Sequence, residues 1–181
     1  METENRLLVV VDMQKDFVDG ALGSDAAKAI VPNVVRKVKA AKHVVFTRDT
    51  HGDDYLGTQE GRRLPVKHCI AGTDGHEIID DLRPYIGKSS VTDKRTFGST
   101  QLASYISELW KFGYVEEVEL VGLCTDICVI SNAMVIKAFC PEIRVLVDAS
   151  CCAGVTRESH DTALAAMQAC QIDILNWRDS K

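Results

Sequence analysis

The stretch Arg6-Leu-Leu-Val-Val-Val-Asp12 decides the fold class. It is a continuous apolar run that lacks the apolar–polar alternation of a half-exposed strand. Such a run is typical of a strand buried on both faces, and strands of that kind occur in parallel sheets covered by helices. We therefore predict that residues 6–12 form an inner strand of an α/β sheet.

The rest of the chain alternates strand-like runs with segments of helical spacing. Residues 26–41 carry apolar side chains at helical period, and Lys42-His-Val-Val-Phe-Thr47 returns as a second strand. Gly113 and Pro141 follow the predicted helices 100–111 and 126–139 and separate each from the next strand. The pattern predicts further strands at 89–93, 118–122, 143–147 and 172–175, and helices at 100–111, 126–139 and 157–170. The expected fold is α/β, with three αβα layers around a six-stranded, mainly parallel sheet.

The length and the charge of the chain limit the number of domains and the class of binding partner. A chain of 181 residues suits a single domain over residues 1–181. The net charge is -5, and acidic and basic residues are mixed along the chain. This pattern excludes a basic face for binding nucleic acid or membrane and favours a small-molecule partner. The polar N-terminus has no signal-peptide core, so we expect a cytoplasmic protein. The cysteine count of seven is odd, so we expect reduced thiols, with the adjacent pair Cys151-Cys152 serving in packing.

The stretch Val121-Gly-Leu-Cys-Thr-Asp-Ile-Cys-Val129 places a cysteine at the start of a predicted helix, directly after a strand. Thr125 is a suitable N-cap, whose hydroxyl would accept a hydrogen bond from the amide of Cys128. The positive end of the helix would lower the pKa of the Cys128 thiol. This placement makes Cys128 a candidate nucleophile. The alternative is that Cys128 is a small buried core residue, as most free cysteines are.

Other chemically capable residues follow predicted strands in the same way. Asp12, Asp49, Lys94 and Cys128 each come just after a strand, and ligands bind parallel sheets at the carboxyl ends of the strands. Asp12 would act as the base, with a pKa raised by burial, and Lys94 would supply a positive charge. The alternatives are a solvated carboxylate for Asp12 and a surface lysine for Lys94. None of the five histidines is tied to Cys128 by local sequence.

A second group of residues lies in the long, weakly periodic segment 48–75. Asp49-Thr-His51, Glu60 and His68 supply carboxylates and imidazoles that suit a divalent transition ion, with zinc, manganese or iron as the choices. Asp49 and His51 are two apart and would point the same way in extended chain. The alternative is a set of solvated loop residues. Cys124 and Cys128 are four residues apart, but the sequence has no second cysteine pair with zinc-finger spacing. We therefore reject a structural zinc site at these cysteines.

Taken together, the sequence resembles the isochorismatase-like cysteine hydrolases, and within them the nicotinamidases. The resemblance runs from Leu7 to about Leu175 and rests on five motifs in order. These are Val-Val-Asp12-Met-Gln-Lys-Asp-Phe17, Thr-Arg-Asp49-Thr-His51, Leu-Pro-Val-Lys-His68-Cys-Ile-Ala-Gly-Thr, Lys94-Arg-Thr-Phe97-Gly-Ser and Gly122-Leu-Cys-Thr-Asp-Ile-Cys128-Val.

The resemblance implies roles for particular residues. It implies a catalytic triad and a cis peptide bond between Leu123 and Cys124, which turns the amides of Cys124 and Cys128 toward an oxyanion. It also implies a set of metal ligands and a substrate pocket, in which Leu64-Pro65 replaces the family's tryptophan. The triad is Asp12, Lys94 and Cys128, the metal ligands are Asp49, His51, His68 and Glu60, and the pocket residues are Phe17, Leu64, Phe97 and Leu123.

The implied activity is that of a metal-dependent amidohydrolase. The expected reaction converts nicotinamide to nicotinate and ammonia through a thioester, as in NAD salvage. One alternative is a metal-independent hydrolase of a ureido or carbamoyl amide from the same superfamily, whose members generally lack the Asp-x-His pair. A second alternative is a non-catalytic binding protein that keeps the fold. The apolar helices leave room for a homo-oligomer interface, which periodicity does not distinguish from a core face.

Overall fold

The computed structural model describes residues 5–87 and 91–177, and its centre is a six-stranded sheet. All pairings between the named strands are parallel, in the order β3-β2-β1-β4-β5-β6, so the predicted sheet is confirmed. Residues 89 and 90 of the predicted third strand lie outside the described residues. The strands are β1 (Arg6–Val11), β2 (His43–Asp49), β3 (Val91–Lys94), β4 (Glu117–Leu123), β5 (Arg144–Ala153) and β6 (Asp173–Leu175).

Helices cover both faces of the sheet and complete the three predicted layers. One hydrophobic cluster contains side chains of α4, α5 and α6, and the other contains side chains of α2. The described helices are α1 (Lys15–Val18), α2 (Asp25–Ala40), α3 (Gln59–Arg63), α4 (Thr100–Lys111), α5 (Ile130–Phe139) and α6 (Arg157–Ala169). None of the helices among the described residues has both the length and the apolar character to cross a bilayer.

Strand β1 shows why the unbroken apolar run predicted a buried parallel strand. Leu7, Val9 and Val11 pack into the cluster beneath α4, α5 and α6. Leu8 and Val10 face the opposite cluster, against α2. Successive side chains of a strand point to opposite faces, so a strand with helices on both sides needs apolar residues at every position.

Two predicted segments differ from the structure. Strand β5 continues past Val147 to Ala153, because its later residues, including the adjacent cysteines, are also buried and pair with the end of β4. The segment 48–75 is not structureless. It contains short helical turns at Tyr55–Gly57, at α3 and at the start of Asp74–His76, and Thr58 caps α3 by accepting a bond from the amide of Gly61.

The ends of β1 and β4 come very close together near the functional residues. Gly122 has a φ of 118°, and a Cβ atom there would lie 2.1 Å from the carbonyl oxygen of Val11. Only glycine fits this approach. The register between β4 and β5 also shifts between Leu120 and Gly122. These features place the chain after β4 directly beside the end of β1.

Candidate active site

The carboxyl ends of the neighbouring strands β3, β2, β1 and β4 bring together the residues that the sequence singled out. Asp12 follows β1, Asp49 ends β2 and Lys94 ends β3, while Cys128 enters from the turn after β4. The Lys94 Nζ atom lies 2.6 Å from Asp12 Oδ2 and 3.5 Å from Asp49 Oδ1, and it donates a hydrogen bond to Cys128 Sγ at 3.4 Å. Lys94 is 4% exposed, so it is not a surface lysine.

Asp12 is fully buried, which excludes a solvated carboxylate. Its backbone lies in the left-handed region, with a φ of 47°, and its amide donates to the carbonyl and hydroxyl oxygens of Thr47. The Thr47 hydroxyl in turn donates to Asp12 Oδ1 at 2.6 Å. These bonds hold one carboxylate oxygen and leave Oδ2 facing Lys94.

Burial has the largest effect on the pKa of Asp12. It raises the pKa of Asp12 above its ordinary value, and the charge of Lys94 only partly offsets the effect. For Lys94, burial is the largest single influence and opposes the charged form, but the charges of Asp12 and Asp49 and the contact with Cys128 together outweigh burial and raise the pKa. Asp12 and Lys94 therefore form a buried ion pair in which the carboxylate is a stronger base than an exposed aspartate.

The predicted lowering of the Cys128 pKa is wrong for the free protein. Burial raises the pKa of the thiol well above its usual value, and the negative charge of Asp12 raises it further, against the opposing charge of Lys94. Cys128 is 4% exposed and belongs to the core cluster, so the thiolate would be poorly solvated. In the free protein the proton therefore stays on the sulfur, beside a carboxylate.

The helix that carries Cys128 also begins differently from the prediction. Its first turn is a π-helical turn, Thr125–Val129, which continues into α5. Thr125 does not cap this turn. Its buried hydroxyl instead forms a 2.7 Å hydrogen bond with Nδ1 of His160 on α6, a partner too distant in sequence to predict. Asp126 accepts a hydrogen bond from the amide of Val155, so the turn is held by the segment after β5 at two points.

The peptide bond between Leu123 and Cys124 is cis, as the resemblance implied. The carbonyl oxygen of Cys124 then accepts hydrogen bonds from the amides of Ile127 and Val129, at 3.1 and 3.0 Å. These two donors lie on either side of Cys128 in sequence. The two hydrogen bonds to Cys124 therefore fix the backbone on both sides of Cys128.

A second cluster forms beside Asp12 and Lys94 from the four predicted metal ligands. One ligand atom from each of Asp49, His51, Glu60 and His68 lies within 4.8 Å of the others. His51 Nε2 lies 2.8 Å from Asp49 Oδ2 and 3.7 Å from Glu60 Oε1. His68 Nε2 lies 3.7 Å from Asp49 Oδ2 and 3.8 Å from Glu60 Oε1.

This donor set fits a divalent ion. Tetrahedral zinc bound at about 2.0 to 2.1 Å needs ligand atoms about 3.3 Å apart, close to the separations found here. His68 Nδ1 lies 2.8 Å from the carbonyl oxygen of Val66, which fixes the proton on Nδ1 and leaves Nε2 free to bind a metal. Burial is the largest single influence on Asp49 and opposes its ionisation, but the hydrogen bond with His51 and the charges of Lys94, His51 and His68 together outweigh burial and lower the pKa. Asp49 is thus anionic, as a ligand must be.

Two residues that sequence reasoning missed hold this cluster in place. Gln14 is fully buried, and its side chain bonds both the amide and the carbonyl of Asp49, at 2.7 and 2.8 Å, as well as the carbonyl of His76. Asp16 accepts a hydrogen bond from the amide of Cys69, next to His68. Both lie within a quoted motif, and polar residues directly after a buried strand were the available signal.

The four predicted pocket residues have different environments. The centroid of the Phe17 ring lies 5.5 Å from that of the His68 ring, whereas Phe97 and Leu64 are exposed. Leu123 is 1% exposed and packs in the cluster beneath α2. Tyr55, which was not predicted, is fully buried, and its ring lies 4.6 Å from that of His51.

The α/β fold and this pair of adjacent clusters define a hydrolase of the isochorismatase-like class. A family model described as the isochorismatase domain matches residues 6–179, and the chain belongs to this family. The nicotinamidase/pyrazinamidase of Mycobacterium tuberculosis is 28% identical over 188 residues, covering 94% of this chain and 98% of that protein.

Solved structures agree with this assignment. Nicotinamidase PncA from Bacillus subtilis matches with a TM-score of 0.80 and 26% identity, covering 95% of this chain and 99% of that one. Pyrazinamidase of Pyrococcus horikoshii, solved in complex with zinc, matches with a TM-score of 0.76 and 27% identity, covering 96% and 99%. The resemblance to isochorismatase-like hydrolases of the nicotinamidase type is thereby confirmed.

Proposed function

We propose that this protein is a metal-dependent cysteine amidohydrolase that converts nicotinamide to nicotinate and ammonia through a thioester. The protein is an amidohydrolase of the nicotinamidase type. The observation that carries the finer proposal is the position of Lys94, which contacts Asp12, Asp49 and Cys128 at once. These three contacts support the proposal, because one lysine joins the proposed nucleophile and base to a proposed metal ligand. Return of nicotinate to NAD synthesis in the cytoplasm is the role we assign to the reaction.

In the first half of the reaction, Asp12 takes the proton of Cys128 as the sulfur attacks the carboxamide carbon. Both groups have raised pKa values from burial, so the thiolate forms only as the new bond forms. Lys94 stabilises the negative charge that passes from the carboxylate to the sulfur and back. The backbone amides of Cys124 and Cys128 would stabilise the oxyanion of the tetrahedral intermediate.

Collapse of that intermediate breaks the carbon–nitrogen bond. Asp12 returns its proton to the departing nitrogen, which leaves as ammonia, and the acyl group stays on Cys128 as a thioester. Asp12 is then a carboxylate again and accepts a proton from water. The resulting hydroxide attacks the thioester carbon, the carbon–sulfur bond breaks, and the sulfur takes back the proton from Asp12. The nicotinic acid that leaves loses its proton to solvent and becomes nicotinate.

Asp49, His51, Glu60 and His68 would hold the divalent ion. When bound, the ion would supply a Lewis acid for the pyridine nitrogen of the substrate. Phe17 packs against the His68 ring, and together with Phe97 it would provide apolar walls for the pyridine. Zinc is the metal we propose, because two imidazoles and two carboxylates at these separations suit it.

The test is ammonia release from nicotinamide, pyrazinamide and a carbamoyl amide, measured on chelator-treated protein with and without added zinc or manganese. We expect metal-dependent turnover of the pyridine and pyrazine amides. Turnover of the carbamoyl amide alone, without metal, would instead support the ureido and carbamoyl class. Release from none of these amides, with metal present, would support a binding protein.

Metal binding is tested separately by Glu60→Gln, with Glu77→Gln as the matched control. Glu77 contacts Arg48 outside the cluster. We expect Glu60→Gln to weaken zinc binding by at least about tenfold in a competition titration, because it removes an anionic ligand. An unchanged zinc affinity would remove Glu60 from the ligand set.

A further inference from the structure

Asn132, on the first turn of α5, makes three hydrogen bonds inside the protein although it is fully buried. Its amide nitrogen donates to the carbonyl oxygen of Cys128 at 2.8 Å and to that of Phe97 at 3.1 Å. Its Oδ1 accepts from the amide of Ser99 at 3.0 Å. A buried amide that is fully bonded in this way holds its partners in fixed relative positions.

The three partners belong to two separate parts of the active site. Cys128 lies in the π-helical turn after β4. Phe97 and Ser99 lie in the linker 95–99, which joins Lys94 at the end of β3 to α4. Asn132 is thus a direct tie between the turn that carries the proposed nucleophile and the linker that carries a proposed pocket wall.

The linker 95–99 also lies close to the first turns of α5, the helix that carries Asn132. A Cβ atom on Gly98 would lie 2.8 Å from the carbonyl oxygen of Ser131 and 3.1 Å from Cγ2 of Val135. An alanine there would have to push the linker away from the start of α5. Because Gly98 has no side chain, the linker can lie close to α5, and the hydrogen bonds of Asn132 to Phe97 and Ser99 keep it there.

We infer that Asn132 is a positioning residue, which sets the place of Cys128 relative to the linker 95–99 and so the alignment of thiol and substrate. The inference rests on the proposed function for its kinetic consequence only. Asn132 does not touch the reacting atoms. Without its side chain, the linker and the turn are free to separate, which misaligns the substrate and opens access to the thiol.

The experiment compares metal-loaded wild-type protein with Asn132→Leu and Gly98→Ala, which disturb the contact from opposite sides. Ser24→Ala is the control, because Ser24 caps α2 on the other face of the sheet. Two readouts are needed. One is kcat and KM for nicotinamide, and the other is the rate of iodoacetamide labelling of each cysteine, resolved by mass spectrometry without substrate.

We expect kcat to fall by at least about tenfold in both variants, since small misplacements of reacting groups have effects of that order or larger. Labelling of Cys128 should rise by about threefold or more through local opening. Cys140 and Cys152 are buried in the same cluster and should stay protected. Ser24→Ala should lower the melting temperature and leave both readouts unchanged.

Three results would overturn the inference. They are a wild-type kcat in either variant, unchanged labelling of Cys128, and an equal rise in labelling of Cys128, Cys140 and Cys152, which indicates general loosening. If Asn132→Leu does not fold, Gly98→Ala decides alone. If the wild-type protein does not hydrolyse nicotinamide, the proposed function fails, but the labelling rates still test the role of Asn132.

Discussion

Lys94→Met is the substitution that tests the electrostatics of the site most thoroughly. Lys94 is the cation between the buried carboxylates of Asp12 and Asp49, at 2.6 and 3.5 Å. At an effective dielectric constant of about 20, these contacts amount to about 6 and about 5 kcal/mol before desolvation is subtracted. Removing one partner of a buried ion pair typically costs about 3 to 5 kcal/mol of unfolding free energy. For a chain of this size, that corresponds to a fall in melting temperature of about 6 to 20 °C.

The loss should depend on pH. Burial already raises the pKa of Asp12, and without Lys94 that pKa rises further. A carboxyl group whose pKa is higher in the folded state destabilises the fold as the pH rises from its unfolded value toward its folded value. Lys94→Met should therefore be nearer to wild type in stability at pH 5 than at pH 8, because keeping the proton on Asp12 in the folded variant costs more free energy at the higher pH.

The same substitution should reduce kcat/KM for amide hydrolysis by about 10² to 10⁴, because a protonated Asp12 cannot accept the thiol proton. The assays are calorimetry across this pH range and ammonia release. Lys111→Met is the control, because Lys111 pairs with Glu108 on the surface. If Lys94→Met keeps the wild-type melting temperature at pH 8, or more than a tenth of the activity, the assignment of Lys94 is wrong.

Two further substitutions separate stability from catalysis. Lys37 on α2 bonds the buried carboxylates of Glu119 and Asp148, at 2.5 and 2.6 Å, and α2 packs on the opposite face of the sheet from the cluster that contains Cys128. Glu119 keeps Arg6 as a partner at 3.0 Å, so Lys37→Met should lower the unfolding free energy by about 1 to 3 kcal/mol in urea denaturation. We expect kcat to stay within about twofold of the wild-type value. An unchanged urea midpoint would contradict the expected loss of stability. His160→Ala leaves the buried hydroxyl of Thr125 without its partner and should cost about 1 to 3 kcal/mol. The checks are thermal melting and kcat, and wild-type stability would show that this hydrogen bond is not needed.

Local sequence patterns were sufficient to predict the sheet and its functional edge. Unbroken apolar runs such as Leu7 to Val11 reflect burial on both faces, which is a property of each strand by itself. Chemically capable residues placed directly after strands must meet at one edge of a parallel sheet. This rule predicts that Asp12, Asp49 and Lys94 lie together, as they do in the structure.

The rest depends on contacts between segments far apart in the chain. The pKa of Cys128 was predicted from its place on a helix, but its direction is set by full burial and by the charge of Asp12. The partner of Thr125 is His160, on another helix. Asn132 looks like an ordinary helix residue in the sequence, and only the folded structure shows that it joins two parts of the site.

The central claim is that Cys128 carries the acyl group during hydrolysis of nicotinamide. The direct measurement is rapid acid quenching of metal-loaded protein during turnover, followed by peptide mass spectrometry. We predict one nicotinoyl group on the peptide that contains Cys128, and neither adduct nor ammonia release in Cys128→Ala. An adduct on another residue, or ammonia release by Cys128→Ala at the wild-type rate, would contradict the claim.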